Sequence, residues 1–129
     1  MPITLSRILM VEDESDIQTV AKLALELVGG FCVEVCASGS EALTTAPTFA
    51  PDLILLDVMM PGMDGVTTLK ALRALPALTT TPVIFMTAKV QPHEVAHYKA
   101  LGALDVVAKP FDPMTLSKTI TSIWHRNAA

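Results

Sequence analysis

Residues 53–57 read Leu53-Ile54-Leu55-Leu56-Asp57: four aliphatic residues that stop on a carboxylate. A short run without polar alternation predicts a strand buried on both faces, as in a parallel sheet covered by helices. Three other runs have the same form. Arg7-Ile8-Leu9-Met10-Val11 ends on Glu12-Asp13, Val83-Ile84-Phe85-Met86 ends on Thr87, and Asp105-Val106-Val107-Ala108 ends on Lys109-Pro110. In an open parallel sheet the carboxyl ends of the strands form the ligand crevice. Three carboxylates, one hydroxyl and one ammonium therefore converge on one edge. That inventory suits a divalent cation and a phosphoryl group.

Strand signals alternate with helical patterns, which predicts right-handed βαβ units in one sheet. Asp13-Glu14-Ser15-Asp16 offers capping and first-turn acids. Ile17, Val20, Ala21, Ala24, Leu27 and Val28 follow at helical spacing, and Gly29-Gly30 stops the helix. A second strand spans Cys32 to Cys36, then a short helix starts near Ser40, with Pro47 and Pro51 bracketing the loop into the strand at Leu53. Asp64-Gly65 punctuates the loop after Asp57 and precedes a helix through Leu69, Leu72 and Arg73 that ends near Pro76. Another helix spans about Pro92 to Leu101 with Gly102 as its cap, and the last strand covers about Ala103 to Ala108. Asp112-Pro113 starts the last helix, which carries Leu116, Ile120, Ile123 and Trp124.

A length of 129 residues predicts one domain, and 51% hydrophobic residues supply its core. The net charge of −4 without a basic cluster argues against a nucleic-acid surface. No apolar run approaches the roughly 20 residues of a membrane span, and the N-terminus is too short for a signal peptide. The expected setting is cytoplasmic. Cys32 and Cys36 lie too far apart along one strand to pair and read as reduced packing residues. His93 and His97 sit four apart on a helix without an evident third metal ligand, and read as a solvated face. Met10 and Met86 read as core, and Trp124 as the residue that seals the last helix.

Asp57, at a strand end beside a Pro- and Gly-shaped loop, suits an acyl-phosphate nucleophile. Glu12 and Asp13 repel it unless a cation intervenes, and a hard cation such as Mg²⁺ takes such oxygens. The Thr87 hydroxyl can donate to a phosphoryl oxygen, and Lys109 supplies a compact positive charge. An enzyme of the haloacid-dehalogenase phosphatase kind, the alternative with a nucleophilic aspartate, needs Asp-x-Asp. Here Asp57 is followed by Val58-Met59. A nucleotide- or flavin-binding module wants a Gly-rich turn after the first strand, where this chain has Glu12-Asp13-Glu14-Ser15.

With these motifs the chain resembles the receiver domain of two-component response regulators, from about Ser6 to Arg126. The resemblance rests on Ile8-Leu9-Met10-Val11-Glu12-Asp13, Asp57-Val58-Met59-Met60-Pro61-Gly62-Met63-Asp64-Gly65, Thr87-Ala88 and Lys109-Pro110-Phe111. It implies a doubly wound α/β fold of the flavodoxin-like, CheY-like kind. That fold is a five-stranded parallel sheet, order 2-1-3-4-5, flanked by five helices. Residues 1–129 would form a single receiver domain with its core at about 6–126: a single-domain regulator if this is the full gene product, or, if it is an excised fragment, a domain with an effector beyond Ala129. The resemblance implies that Asp57 accepts phosphate from the phosphohistidine of a sensor histidine kinase or phosphotransfer protein. It further implies that Mg²⁺ (or Mn²⁺) binds to Glu12, Asp13, Asp57 and the Met59 backbone carbonyl, and that Thr87 and Lys109 hold the phosphoryl group. Such a domain is a signalling phosphoacceptor that promotes its own phosphorylation and dephosphorylation. Its output is altered binding of a downstream protein or effector domain. Met59 and Lys89 are expected to flank the site and tune the phosphate lifetime. Receivers often carry an aromatic residue where Gly102-Ala103-Leu104-Asp105 is followed by Val106. Valine cannot make the same rotamer change, so a smaller or differently carried switch is expected there.

Overall fold

The computed structural model describes residues 4–127. Five parallel strands lie in the order β2-β1-β3-β4-β5: β1 Arg7–Val11, β2 Cys32–Cys36, β3 Leu53–Asp57, β4 Val83–Thr87 and β5 Asp105–Ala108. The order reverses beside β1, so the crevice at the carboxyl ends of β1 and β3 is the topological switch point. Helices α1 Ser15–Leu23, α2 Gly39–Phe49, α3 Gly65–Arg73, α4 Pro92–Ala100 and α5 Leu116–Asn127 cover the sheet. Each strand side chain alternates between two cores. Leu9, Val11, Ile54, Leu56 and Phe85 pack with Leu69, Leu72 and Tyr98 of α3 and α4. Ile8, Met10, Leu53, Leu55, Ile84 and Met86 pack with Ala21, Ile120 and Trp124 of α1 and α5. Burial on both faces is why these runs read as unbroken aliphatic stretches.

That alternation also aims the strand-end residues. Met10, Leu55 and Val107 all belong to the core beneath α1 and α5. Two residues further on, the same parity directs Glu12, Asp57 and Lys109 to one side. Register sets Asp57 beside Met86, with Thr87 one residue on.

Helix boundaries depart from the sequence reading in four places. Pro47 lies inside α2 instead of bracketing a loop. The proline is exposed near the helix end, so the helix loses one internal N–H donor and the ring meets solvent. The chain leaves α2 through Ala50, whose left-handed φ of 52° lets its N–H reach the Ala46 carbonyl at 2.9 Å. Helix α1 gains no side-chain cap from Asp13–Asp16; Glu14 is the N-cap and makes no such bond. Beyond Leu23 the helix widens into a π-helical turn, Ala24–Val28, closed by Gly29 and by Gly30 at a φ of 72°. Ala21, Ala24 and Leu25 are buried, whereas Val20, which precedes that turn, and Leu27 and Val28 within it are exposed. The regular helical period had placed all three inside. Last, α5 begins at Leu116, after a turn at Pro113–Thr115, although Asp112 does organise that entry. Its Oδ1 accepts from the Met114 N–H at 2.9 Å and its carbonyl from the Leu116 N–H at 3.0 Å.

The remaining elements follow expectation within three residues, α3 ending at Arg73 ahead of a 3₁₀ turn at Pro76–Leu78. Pro92 opens α4, which ends at Ala100, and Gly102 takes a φ of 112° beyond it. Strand β5 is shorter than expected and starts at Asp105. Met10, Met86 and Trp124 are fully buried. Cys36 is core, whereas Cys32 is exposed on the β2 edge, and both are free thiols. His93 and His97 are exposed, and among the described residues no metal-type cluster includes them. Val106 pairs with Phe85 and packs on the core that holds Tyr98. Tyr98 meets Phe85 edge-on with ring centroids 5.4 Å apart. The aromatic bulk near β5 is therefore supplied by α4.

Trp124 is the largest side chain that fastens α5 to the sheet. Trp124→Ala is expected to destabilise the protein by about 3–5 kcal/mol in urea unfolding; a loss below about 1 kcal/mol would show that the helix is held elsewhere.

Candidate phosphoryl and cation site

The carboxyl ends of β1 and β3 bring three acids together. One carboxylate oxygen from each of Glu12, Asp13 and Asp57 lies within 4.8 Å of the others. Glu12 is 0% and Asp57 2% exposed, so two of these charges have little water around them. The Lys109 ammonium sits between those two, 2.8 Å from Glu12 Oε1 and 3.3 Å from Asp57 Oδ1. Lys109 comes from the turn after β5, where its N–H donates to the Thr87 carbonyl at 2.9 Å and its bond to Pro110 is cis. Thr87 is 2% exposed, and its hydroxyl accepts from the Lys89 N–H at 3.1 Å. Asp57 Oδ1 also accepts, at 3.4 Å, from the N–H of Met59, whose side chain is exposed.

Backbone packing fixes these positions. Glu12 Oε2 accepts from the Glu14 N–H at 3.2 Å, and its carbonyl from the Gln18 side chain at 2.5 Å. Gln18 was not singled out in the sequence, because a polar residue on a helix carries no mark of a backbone target. Gly65 opens α3 directly against the end of β3. A Cβ there would lie 2.4 Å from the Asp57 carbonyl oxygen and 2.7 Å from Val58 Cα. The Asp64-Gly65 pair had suggested only loop punctuation; the glycine lets a helix start pressed onto the strand end. Asp64 caps that helix by accepting from the Thr67 N–H at 2.8 Å.

The electrostatics follow from this crowding. Burial, then the negative charge of Glu12, push the Asp57 carboxyl up to about 7, with Lys109 pulling the other way. For Lys109 burial favours the neutral amine, but the hydrogen bond and charge of Glu12, joined by Asp57, outweigh it and raise its pKa. Asp13 Oδ1 is buried without a hydrogen-bond partner. A buried carboxylate oxygen that lacks a donor is costly. Three hard oxygens close together, one of them unpaired, suit a hard divalent cation.

A carboxyl raised in the folded state favours folding while it is neutral, and that contribution is lost as pH rises through about 7. Asp57→Asn should therefore raise the melting temperature of the metal-free protein at pH 8, by roughly 5 °C or more. The gain should vanish near pH 3, where both side chains are neutral. Equal melting at pH 8 would mean that Lys109 already cancels the cost.

Comparison with known proteins gives a consistent picture. The family described as response regulator receiver domain matches residues 8–121. The alkaline phosphatase synthesis transcriptional regulatory protein PhoP of Bacillus subtilis is 37% identical over 121 residues, which are 94% of this chain and 49% of that protein. The DNA-binding response regulator MtrA of Mycolicibacterium smegmatis is 36% identical, over 94% of this chain and 51% of its own length. The chain thus spans about half the length of these relatives. Among solved structures, the chemotaxis response regulator CheY4 of Vibrio cholerae superposes with a TM-score of 0.84 at 35% identity, covering 93% of this chain and 99% of that one. The match runs from the second residue of β1 into α5 and takes in every strand-end residue described above, so the chain belongs to the receiver domains of two-component response regulators.

Proposed function

We propose that Asp57 is the phosphoacceptor and that this chain takes its phosphoryl group from the phosphohistidine of a sensor histidine kinase or phosphotransfer protein. The observation that carries the reading is the Lys109 ammonium 3.3 Å from Asp57 Oδ1, on an aspartate with almost no exposure. Attack by a carboxylate oxygen forms the O–P bond as the donor's N–P bond breaks, and the imidazole leaves with that electron pair. Phosphoryl transfer of this kind is chiefly a matter of position and charge. Lys109 offsets negative charge on the phosphoryl oxygens, and the Thr87 hydroxyl donates to one of them. The short loop after β3, pressed by Gly65, keeps Asp57 at the mouth of the crevice.

Glu12, Asp13, Asp57 and the Met59 carbonyl are the groups that would hold Mg²⁺ or Mn²⁺, which when bound neutralises charge on the acids and on the phosphoryl oxygens. The fit rests on the donor set and on the unpaired Asp13 oxygen. With the same groups in place the chain would also take phosphate from a small acyl phosphate and hydrolyse it again. Met59 and Lys89 flank the acceptor and Thr87 by two residues each and set how readily water reaches the acyl phosphate. The proposed output is altered contact with a downstream protein or effector domain, without direct nucleic-acid binding by this acidic domain. Val106 makes the accompanying change on β5 a small one. Among the described residues no helix is long and apolar enough to cross a membrane, and the proposed setting is the cytoplasm.

Intact mass after incubation with acetyl phosphate and Mg²⁺ tests this reading. The expected result is a gain of one phosphoryl group, absent in Asp57→Ala and without metal. A gain that survives in Asp57→Ala would place the acceptor elsewhere. Met59→Asn, which puts a water-binding amide beside the acceptor, should change the decay rate of the phosphorylated form about threefold or more. An unchanged rate would remove Met59 from that role.

A further inference from the structure

The turn that carries Glu12 and Asp13 is held from the helix that follows it. Helix α1 starts at Ser15, and its N-cap Glu14 makes no side-chain cap bond. The tie comes from further along the helix. Gln18 is half-buried, and its side-chain Nε2 donates to the Glu12 carbonyl oxygen at 2.5 Å. Helical side chains lean toward the helix N-terminus, so an amide on Gln18 lies over the turn that precedes α1. The bond is not a cap. A cap offers an acceptor to the open N–H groups of a helix start, whereas Gln18 offers a donor to a carbonyl outside the helix. The main chain of Gln18 is fixed in turn, its N–H donating to the Glu14 carbonyl at 3.0 Å.

The Glu12 carbonyl matters because of what shares its peptide plane. The C=O of Glu12 and the N–H of Asp13 form one rigid planar unit, so a donor that fixes the oxygen fixes the plane from which Asp13 leaves. Glu12 is already tied to the sheet, its N–H donating to the Cys36 carbonyl at 3.0 Å. Lys109 pairs with Glu12 and Asp57, but Asp13 Oδ1 is buried with no partner. A carboxylate oxygen of Asp13 nevertheless lies within 4.8 Å of one on each of the other two acids, where like charges push apart. We propose that Gln18 is a positioning residue for the cation site: its amide holds the Glu12–Asp13 peptide so that the Asp13 carboxylate stays gathered with Glu12 and Asp57 before any cation binds. That role rests on the proposed reading of these acids as a divalent-cation site. Gln18 acts through the backbone, and cation binding then does not also have to order the turn. Groups that hold a metal ligand in place in this way change metal affinity by about 10–100-fold.

Titration of the full chain with Mn²⁺, the free ion being read from its electron paramagnetic resonance signal, tests the proposal independently of phosphorylation. Gln18→Met keeps the length and helix preference of the side chain and removes the donor. It should weaken Mn²⁺ binding about tenfold or more, while the melting temperature of the metal-free protein moves by less than about 5 °C. Gln18→Glu also removes the donor but adds a negative charge, which by charge alone would tighten the cation; the expected result is weaker binding here too. Parent affinity in Gln18→Met overturns the proposal. Tighter binding in Gln18→Glu overturns it as well, by showing that charge and not the bond governs the site. A larger fall in metal-free melting for Gln18→Met makes the residue a structural one and overturns the positioning role. A parent chain that takes up no Mn²⁺ overturns the cation reading itself, and the role of Gln18 with it, so the two failures are told apart.

Discussion

The ion contact between Lys109 and the buried pair Glu12 and Asp57 is the interaction on which the rest of the site depends. Two carboxylates with almost no exposure stand at the end of an otherwise apolar sheet, with a third acid beside them. Charges so placed are tolerated only where a counter-charge reaches them. One ammonium at 2.8 and 3.3 Å serves two acids; burial and then the charge of Glu12 raise the Asp57 carboxyl, and the Asp13 oxygen is left without a donor. The site is short of positive charge as it stands. That shortage is what the proposed divalent cation would relieve, and a cation beside Asp57 would in turn make room for a phosphoryl group.

The fold exists to set up this shortage without collapsing it. A parallel sheet buried on both faces makes each strand a rigid rod, and strand parity decides which side its last residue takes. Glu12, Asp57 and Lys109 come from strand ends far apart in the chain, yet they share a side because Met10, Leu55 and Val107 do. Thr87 comes from the neighbouring strand with the opposite parity and closes the crevice from its other flank. Gly65 holds the start of α3 against the Asp57 carbonyl, so Asp57 rests on backbone packing and not on a mobile loop.

Much of this could be read before any coordinates. The strands were legible because burial on both faces removes polar alternation, and each run then stops at the first residue that needs water or a ligand. The acids, Thr87 and Lys109 were legible for the same reason, as reactive groups at the ends of runs such as Leu53-Ile54-Leu55-Leu56. The resemblance to receiver domains supplied the roles proposed for them. What the sequence concealed lies in the helices. Pro47 signals a break, yet an exposed proline late in α2 costs only one hydrogen bond. The spacing of Ile17, Val20, Ala21, Ala24, Leu27 and Val28 fits a regular helix, and nothing local announces the π-helical turn at Ala24–Val28 or the exposure of Val20, Leu27 and Val28. The backbone target of Gln18 carries no sequence signature, and Gly65, legible as loop punctuation, does not announce its close approach to the Asp57 carbonyl.

The central claim, that the buried aspartate at the end of β3 receives the phosphoryl group, is tested most directly by chemical trapping. Borohydride reduces an acyl phosphate to the alcohol and leaves free carboxylates untouched. After phosphorylation, reduction and digestion, mass mapping of the peptides that contain Leu53 to Lys70 and Ile8 to Lys22 should show Asp57 alone converted to homoserine. Conversion of Glu12, Asp13 or Asp64 in its place, or a phosphorylated protein with Asp57 unaltered, would contradict the account.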